Sequence, residues 1–295
     1  MTAQRKNLLQ IAGIVVVLAL LALGLFFLMR PKAVTGATPA YVSANKTIQL
    51  AQTSTTIAAP APAGLIVQDT GTPQWIQIKS KGSGRLFQDL SDNYYGLTIY
   101  RIHNPRILKT ATTLYPDEKY LYDMENQYPN ALIMNASGWN MLTGQLAGFQ
   151  INNGKLFQDW DITNHATAAF VVYKNGTTGV VSDSTSAQSL ITNGAAQTYS
   201  FGSILVKNGK ILPDDGTVNW EIHSFIGADK NNNIITIISD TSSWNRSVLE
   251  QVTHDLHLES LVVLDGGGSS QLAVRGNTIV PSQDDRPIAD FVVMK

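Results

Sequence analysis

The sequence predicts an α+β fold: a strand-rich mixed sheet with few helices, preceded by one transmembrane helix. Three observations carry this. Short apolar runs recur along the chain from about Leu65 onward. Many of them end in Asn-Gly pairs, which favour tight hairpin turns. Only a few stretches have the spacing of an amphipathic helix.

The strand-like runs, in order, are Trp75–Ile78, Gly96–Ile102, Ala131–Met134, Ala169–Tyr173 and Ser203–Val206, then Ile234–Ile238, Leu261–Leu264 and Phe291–Met294. The hairpin pairs are Asn153-Gly154, Asn175-Gly176 and Asn208-Gly209. Asp117–Tyr128 reads as one helix. Ser247–His257 is the clearest, with Val248, Leu249, Val252 and Leu256 on one face. That helix lies between the runs Ile234–Ile238 and Leu261–Leu264, a strand–helix–strand unit. Its two strands are expected to be parallel neighbours joined by a right-handed crossover.

Ahead of this region, Leu8–Met29 is an apolar block broken only by Gln10. As a helix it spans about 33 Å, enough for a bilayer core. It exceeds the apolar region of a cleaved signal peptide, roughly 7–15 residues, so it is read as a signal anchor, with residues 1–7 as a cytoplasmic tail. Residues 30–64 are rich in Ala, Thr, Ser and Pro. They hold too few large apolar side chains for a core and read as a stalk. The folded domain is assigned to 65–295 and placed outside the cytoplasm, on a cell membrane.

Composition narrows the chemistry. Charged residues make up 15% and apolar residues 44%, ample for a core, and the net charge of −1 gives no general attraction to nucleic acid. Cysteine is absent, which excludes disulfides, thiolate metal sites and Cys nucleophiles. No Gly-x-Ser-x-Gly elbow, P-loop or His-Glu-x-x-His motif is present.

Candidate site residues fall where apolar runs end. Leu261–Leu264 delivers Asp265 into Gly266, Gly267 and Gly268, followed by Ser269 and Ser270. A carboxylate at the end of a buried strand, followed by bare backbone, suits a polar ligand; it also suits a glycine-rich turn that Asp265 caps. Asn135 follows Ala131–Met134, with Trp139 shortly after: a sugar contact and stacking platform, or an Asn closing its own turn. Asp240 ends Ile234–Ile238. If the crossover strands are neighbours it stands beside Asp265, and paired carboxylates serve acid–base or glycosyl chemistry. His223 is a structural or a catalytic imidazole. Arg286, before the last strand, is an anion clamp or one half of an exposed ion pair. Asp265, Asp240 and Asn135 also offer oxygens to a divalent cation.

Taken together, these motifs resemble the phosphodiester glycosidase domain from about Tyr95 to Lys295. The most specific match is the strand, acidic turn, helix and Leu-Asp-Gly-Gly-Gly-Ser block, here Ile235 through Ser269. Ile133–Trp139 is similar to the family's strand plus Asn-Gly-Gly-Phe, Gly202–Gly209 to its Leu-Val-x-x-Gly segment, and Arg286–Ala289 to its closing Arg. Two positions depart from the pattern. Ile222-His223-Ser224 stands where the family has Pro-Arg-Thr, so a fixed cation has become an imidazole. The Asn135 element has one glycine fewer.

The resemblance implies hydrolysis of a sugar-1-phosphodiester in a cell-envelope glycopolymer such as exopolysaccharide or teichoic acid. It implies Arg286 and His223 on the phosphate, and Asp265 as base or nucleophile with Asp240 as partner. Asn135, Ser224 and the Gly266–Ser269 loop would then hold the substrate. The departure at His223 leaves open a non-catalytic glycopolymer-binding or assembly module; a glycosyl-phosphate transferase is a further alternative.

Overall fold

The computed structural model describes residues 69–160, 166–213, 222–240 and 244–295. All belong to one compact unit, Ala59–Lys295. The tail, anchor and stalk expected over 1–64 lie outside the described residues. Among the described residues no helix is long and apolar enough to cross a membrane.

The elements begin with β1 (Ile76–Gln77), β2 (Phe87–Asp89), β3 (Leu97–Ile102) and β4 (Arg106–Lys109), then α1 (Leu121–Gln127). There follow β5 (Leu132–Asn135), the pair β6 (Gln150–Asn152) and β7 (Lys155–Gln158), and β8 (Ala168–Tyr173) with β9 (Thr178–Ser182). Next come α2 (Ala187–Thr192), β10 (Ala195–Phe201), β11 (Ile204–Lys207) and β12 (Lys210–Ile211). The last third holds β13 (His223–Asp229), β14 (Ile234–Ser239), α3 (Arg246–Leu256), β15 (Leu258–Val263), β16 (Leu272–Val274), β17 (Asn277–Val280) and β18 (Phe291–Met294).

The eight predicted strands all form. Asn153-Gly154 and Asn208-Gly209 close the β6–β7 and β11–β12 hairpins with both residues at positive φ, the geometry that follows the strand twist. The helix predicted over Asp117–Tyr128 is shorter, confined to α1. The short α2, capped by Ser186 accepting from the Ser189 amide, was not expected. The clearest prediction becomes α3: Asn245 Oδ1 accepts the Val248 amide at its start, and His257 leaves it in the left-handed region.

Two large sheets carry the fold. One runs β12-β11-β15-β13-β14-β3-β2, the other β1-β4-β18-β5-β16-β17. Their facing sides share a core that includes Ile226, Ile234 and Val262 from the first sheet and Leu132, Met134 and Val292 from the second. Alternation sends Phe225, Ile237 and Leu261 to the far face of the first sheet, where Trp244, Leu249, Val252 and Leu256 cover them. Leu121 and Met124 of α1 cover the far face of the second, on Ile133, Phe291 and Val293. The order is thus helix, sheet, sheet, helix.

The strand–helix–strand unit corrects one expectation. β14 and β15 run parallel, as read, yet they are not neighbours. Each pairs antiparallel with β13, which lies between them. All the ladders recorded among the described residues are antiparallel, so the two strands share a direction without sharing a ladder. A crossover helix covers one inserted strand as readily as none.

Candidate active site

The Asp265 loop sits where the two sheets come together. β15 ends at Val263 in the first sheet and β16 begins at Leu272 in the second, so the chain must cross between them over 264–271. The crossing is stitched on both sides. Leu264 N donates to Ser224 O and Gly267 N to Ile222 O, at 2.8 and 2.7 Å, on the β13 side. Asp265 N donates to Ala136 O at 3.1 Å on the β5 side.

Asn135 is the centre of this stitching. Its side chain is fully buried at the end of β5. Nδ2 donates to Asp265 O at 2.6 Å, and Oδ1 accepts from Ser224 Oγ at 2.8 Å and Gln271 N at 3.1 Å. Ser270 Oγ lies 3.1 Å from Ser224 Oγ. Asn135 and Ser224 thus hold the loop from behind through these bonds. Ser270 and Gln271, both buried, belong to the same network and were missed; their polarity inside an otherwise apolar run was the available signal.

Gly267–Ser269 forms one turn of 3-10 helix. Of the amides expected to face a ligand, Gly267 N is used by Ile222, and Ser269 N by Gly266 O at 3.2 Å. Gly268 N has no acceptor among the described residues. A Cβ on Gly268 would stand 2.6 Å from Arg286 Nη2, so only glycine lets the guanidinium come this close to the loop. Gly266 N donates to its neighbour's carboxylate, Asp265 Oδ1, at 3.1 Å.

Of the two sequence readings of Arg286, the ion pair forms. Nε and Nη2 donate to Asp284 Oδ2, a two-point ion pair that fixes the plane of the guanidinium, and Nη1 lies 3.0 Å from Met141 Sδ. The Asp284 hydrogen bond raises the Arg286 pKa above its ordinary value, and the Asp265 carboxylate adds to the rise. In return the Arg286 hydrogen bond holds the Asp284 carboxyl below the usual range. Ser282 Oγ donates to Gly268 O at 2.7 Å and ties this segment to the loop. Asp284 was not singled out from the sequence, although its place two residues before the Arg suits such a pair.

Asp240 is placed differently from expectation, while His223 stands beside Asp265. Continuing the β13 registers sets Asp265 opposite His223 and Asp240 opposite Ile222. Ile222 and His223 thus stand between the two acids, whose backbones are about 10 Å apart at two strand spacings. Asp240 lines a cavity of about 370 Å³ with Tyr94, Thr98 and Ile222. His223 is buried, with Nδ1 3.3 Å from where a Cβ on Gly266 would be. The cation site expected from Asp265, Asp240 and Asn135 does not assemble: the Asn135 oxygen is engaged and Asp240 is a strand away. Among the described residues no group of three or more His, Asp or Glu converges.

Beneath Asn135 lies a second buried polar centre, also missed. Lys109 and Asp290 are an ion pair with no solvent exposure. Lys109 Nζ also donates to Ser137 Oγ at 3.2 Å and stands 5.0 Å from the Tyr199 ring centroid. Asp290 Oδ1 accepts the Ala111 amide at 3.1 Å, and Asp290 O accepts the Ala136 amide at 3.0 Å. Burial pulls the Lys109 pKa down, opposed by Asp290. Burial, aided by the same carboxylate, raises that of Tyr199 well above the ordinary phenol value. The expected platform Trp139 is half-buried; its Nε1 is buried with no hydrogen-bond partner among the described residues.

Residues 131–295 match the family described as phosphodiester glycosidase, more than half of the chain, and the chain belongs to that family. It is 30% identical over 185 residues to the SPbeta prophage-derived uncharacterized protein YomE of Bacillus subtilis (strain 168), a span of 58% of this chain and 29% of that protein. The chain therefore matches under a third of that relative's length. Its fold is similar to the zebrafish N-acetylglucosamine-1-phosphodiester alpha-N-acetylglucosaminidase catalytic domain auto-inhibited by pro-peptide, with a TM-score of 0.56 and 19% identity, over 76% of this chain and 88% of that one.

Proposed function

We propose that this chain hydrolyses a sugar-1-phosphodiester within a cell-envelope glycopolymer, with Asp265 and Arg286 at the reacting centre. The observation that carries the reading is the pairing of these two groups: a carboxylate on a loop fixed by Asn135, within electrostatic reach of a guanidinium whose plane is set by Asp284. In such a substrate the anomeric carbon is bonded to a phosphate oxygen. That C–O bond breaks with its electron pair leaving on the phosphate, and a water oxygen bonds to the anomeric carbon. The products are a reducing sugar and a phosphomonoester. Arg286 stabilises the charge that grows on the phosphate. Asp265 stabilises the cationic sugar centre, as a base toward the water or as a nucleophile whose adduct water then opens. The Gly268 amide adds a donor on the same side. Placement outside the cytoplasm on a membrane anchor is part of the proposal and rests on Leu8–Met29 of the sequence.

Incubation of the full chain with an N-acetylglucosamine-1-phosphate diester and with teichoic-acid-like polymer, following free reducing sugar, tests this. Asp265→Asn should lower turnover by at least about a thousandfold, roughly 4 kcal/mol of barrier, with the thermal midpoint nearly unchanged. Equal turnover by the variant would remove Asp265 from the chemistry. A second reading, a binding module without chemistry, is favoured by His223 where the family has Arg. It predicts saturable polymer binding, no sugar release, and activity gained in His223→Arg.

A further inference from the structure

β13 has two ends. His223 marks the catalytic one; Asp229, about 20 Å away at 3.3 Å per residue, marks the other. At the Asp229 end lies a cavity of about 300 Å³ whose lining includes Lys81, Arg85, Arg101 and Lys230, with Asp229 as its single carboxylate. The chain as a whole carries a net charge of −1, so this positive cluster is not the local share of a basic protein.

Asp229 does not neutralise the cluster. It is buried, Oδ1 accepts the amides of Asn231 and Asn233 at 2.9 and 3.0 Å, and Oδ2 accepts Asn233 Nδ2 at 2.8 Å. Its remaining reach goes to Arg101, with Nε 3.2 Å from Oδ2. Among the described residues no carboxylate lies within ion-pair distance of Lys81, Arg85 or Lys230. Three cations thus face one cavity without counter-charge. Like charges repel, and an ordinary surface intersperses the two signs.

The loop that carries two of them, Lys81-Gly82-Ser83-Gly84-Arg85, is built for close approach. The amides of Gly82, Ser83, Gly84 and Arg85 have no acceptor among the described residues. Gly82 has a φ of +84° and open space around it. The base of the loop is fixed: Lys81 N donates to Asn231 O at 2.7 Å, and Gly84 packs on the His103 ring, which Asn233 and Asn104 hold at 2.7 and 3.0 Å. Backbone amides with flanking Lys and Arg recognise a tetrahedral oxyanion.

We propose that this cavity is a phosphate-binding site, occupied by a second phosphate of the same polymer whose phosphodiester is cleaved at Asp265. The site stands on the geometry above; the polymer as its source rests on the proposed activity. A chain with repeated phosphodiesters would be held at both ends of one strand, so length and charge would set affinity.

Titration of the full chain with inorganic phosphate at low ionic strength, by calorimetry, tests the site. Wild type should bind, the triple variant Lys81→Ala, Arg85→Ala, Lys230→Ala should bind at least tenfold more weakly, and Arg286→Ala should retain this binding event. All three positions are exposed, so circular dichroism should be unaltered. No binding by wild type, or equal binding by the triple variant, overturns the site. The source is read from kinetics. The triple variant should raise KM for the polymer about tenfold and leave a single-unit diester unaffected. Lost phosphate binding with an unchanged polymer KM would assign the site to free phosphate and overturn the polymer. If wild type cleaves no diester, the activity reading fails, and the titration still decides the site.

Discussion

The two ends of the central sheet handle charge and polarity differently. At the Asp265 end a buried network stands behind the loop: Asn135, Ser224, Ser270 and Gln271 bond to one another and to the loop, and Lys109 and Asp290 form a sealed pair just below. At the Asp229 end Lys81 and Arg85 of the Lys81–Arg85 loop face solvent, without an ion-pair partner among the described residues. Buried, satisfied networks fix geometry, because each unmade bond is costly to leave. Exposed cations attract at range, are screened by salt, and need little placement. The contrast fits an end where atoms must be positioned for bond cleavage and an end where an anion need only be held.

Substitutions can break that contrast, beginning with the largest effect on folding. Lys109→Ala strands the Asp290 charge in the core and should cost about 3–5 kcal/mol, read as a lowered denaturant midpoint. Replacing both partners with apolar residues of similar size should recover most of that loss. Asn135→Ala leaves the Gln271 amide, Ser224 Oγ and Asp265 carbonyl short of partners, at roughly 2–3 kcal/mol. It should also lower turnover beyond what stability explains, since the loop would no longer be fixed; full turnover below the melting temperature would show that the Asn135 network is structural only. Arg286→Ala leaves the fold intact and should weaken phosphorylated ligands at least about tenfold, in line with a lost charge-assisted pair. Equal losses for neutral sugars would count against a phosphate clamp. The smallest effect sharpens the comparison as a control. Asn245→Ala removes the α3 cap near the Asp265 end and should cost about 1 kcal/mol without altering KM or turnover.

The Lys81–Arg85 loop was printed in the sequence and passed over, because a Lys-Gly-Ser-Gly-Arg stretch reads as an ordinary solvated turn. What distinguishes it is that the one carboxylate nearby, Asp229, is held by Arg101 and by its own turn, and that is a property of the neighbours. The Asp265 loop was legible for the opposite reason. An acid, three glycines and two serines after an apolar run announce themselves within a dozen residues, and the family block confirmed the fold that they sit on.

The sequence by itself determined the local elements: unbroken apolar runs set the strands, Asn-Gly pairs set three hairpins, and the apolar stripe of Ser247–His257 set the main helix, since each depends on residues within a few positions. It also determined that β14 and β15 run the same way. The tertiary structure alone decided that β13 separates them, and with it that Asp240 is not the neighbour of Asp265. It also decided that Lys109 meets Asp290 across 181 residues of chain, and that the Asn135 side chain bonds to the Asp265 carbonyl of the loop. These are questions of which buried polar groups find partners. A strand's alternation says which face a side chain points to, but not what another strand brings to that face.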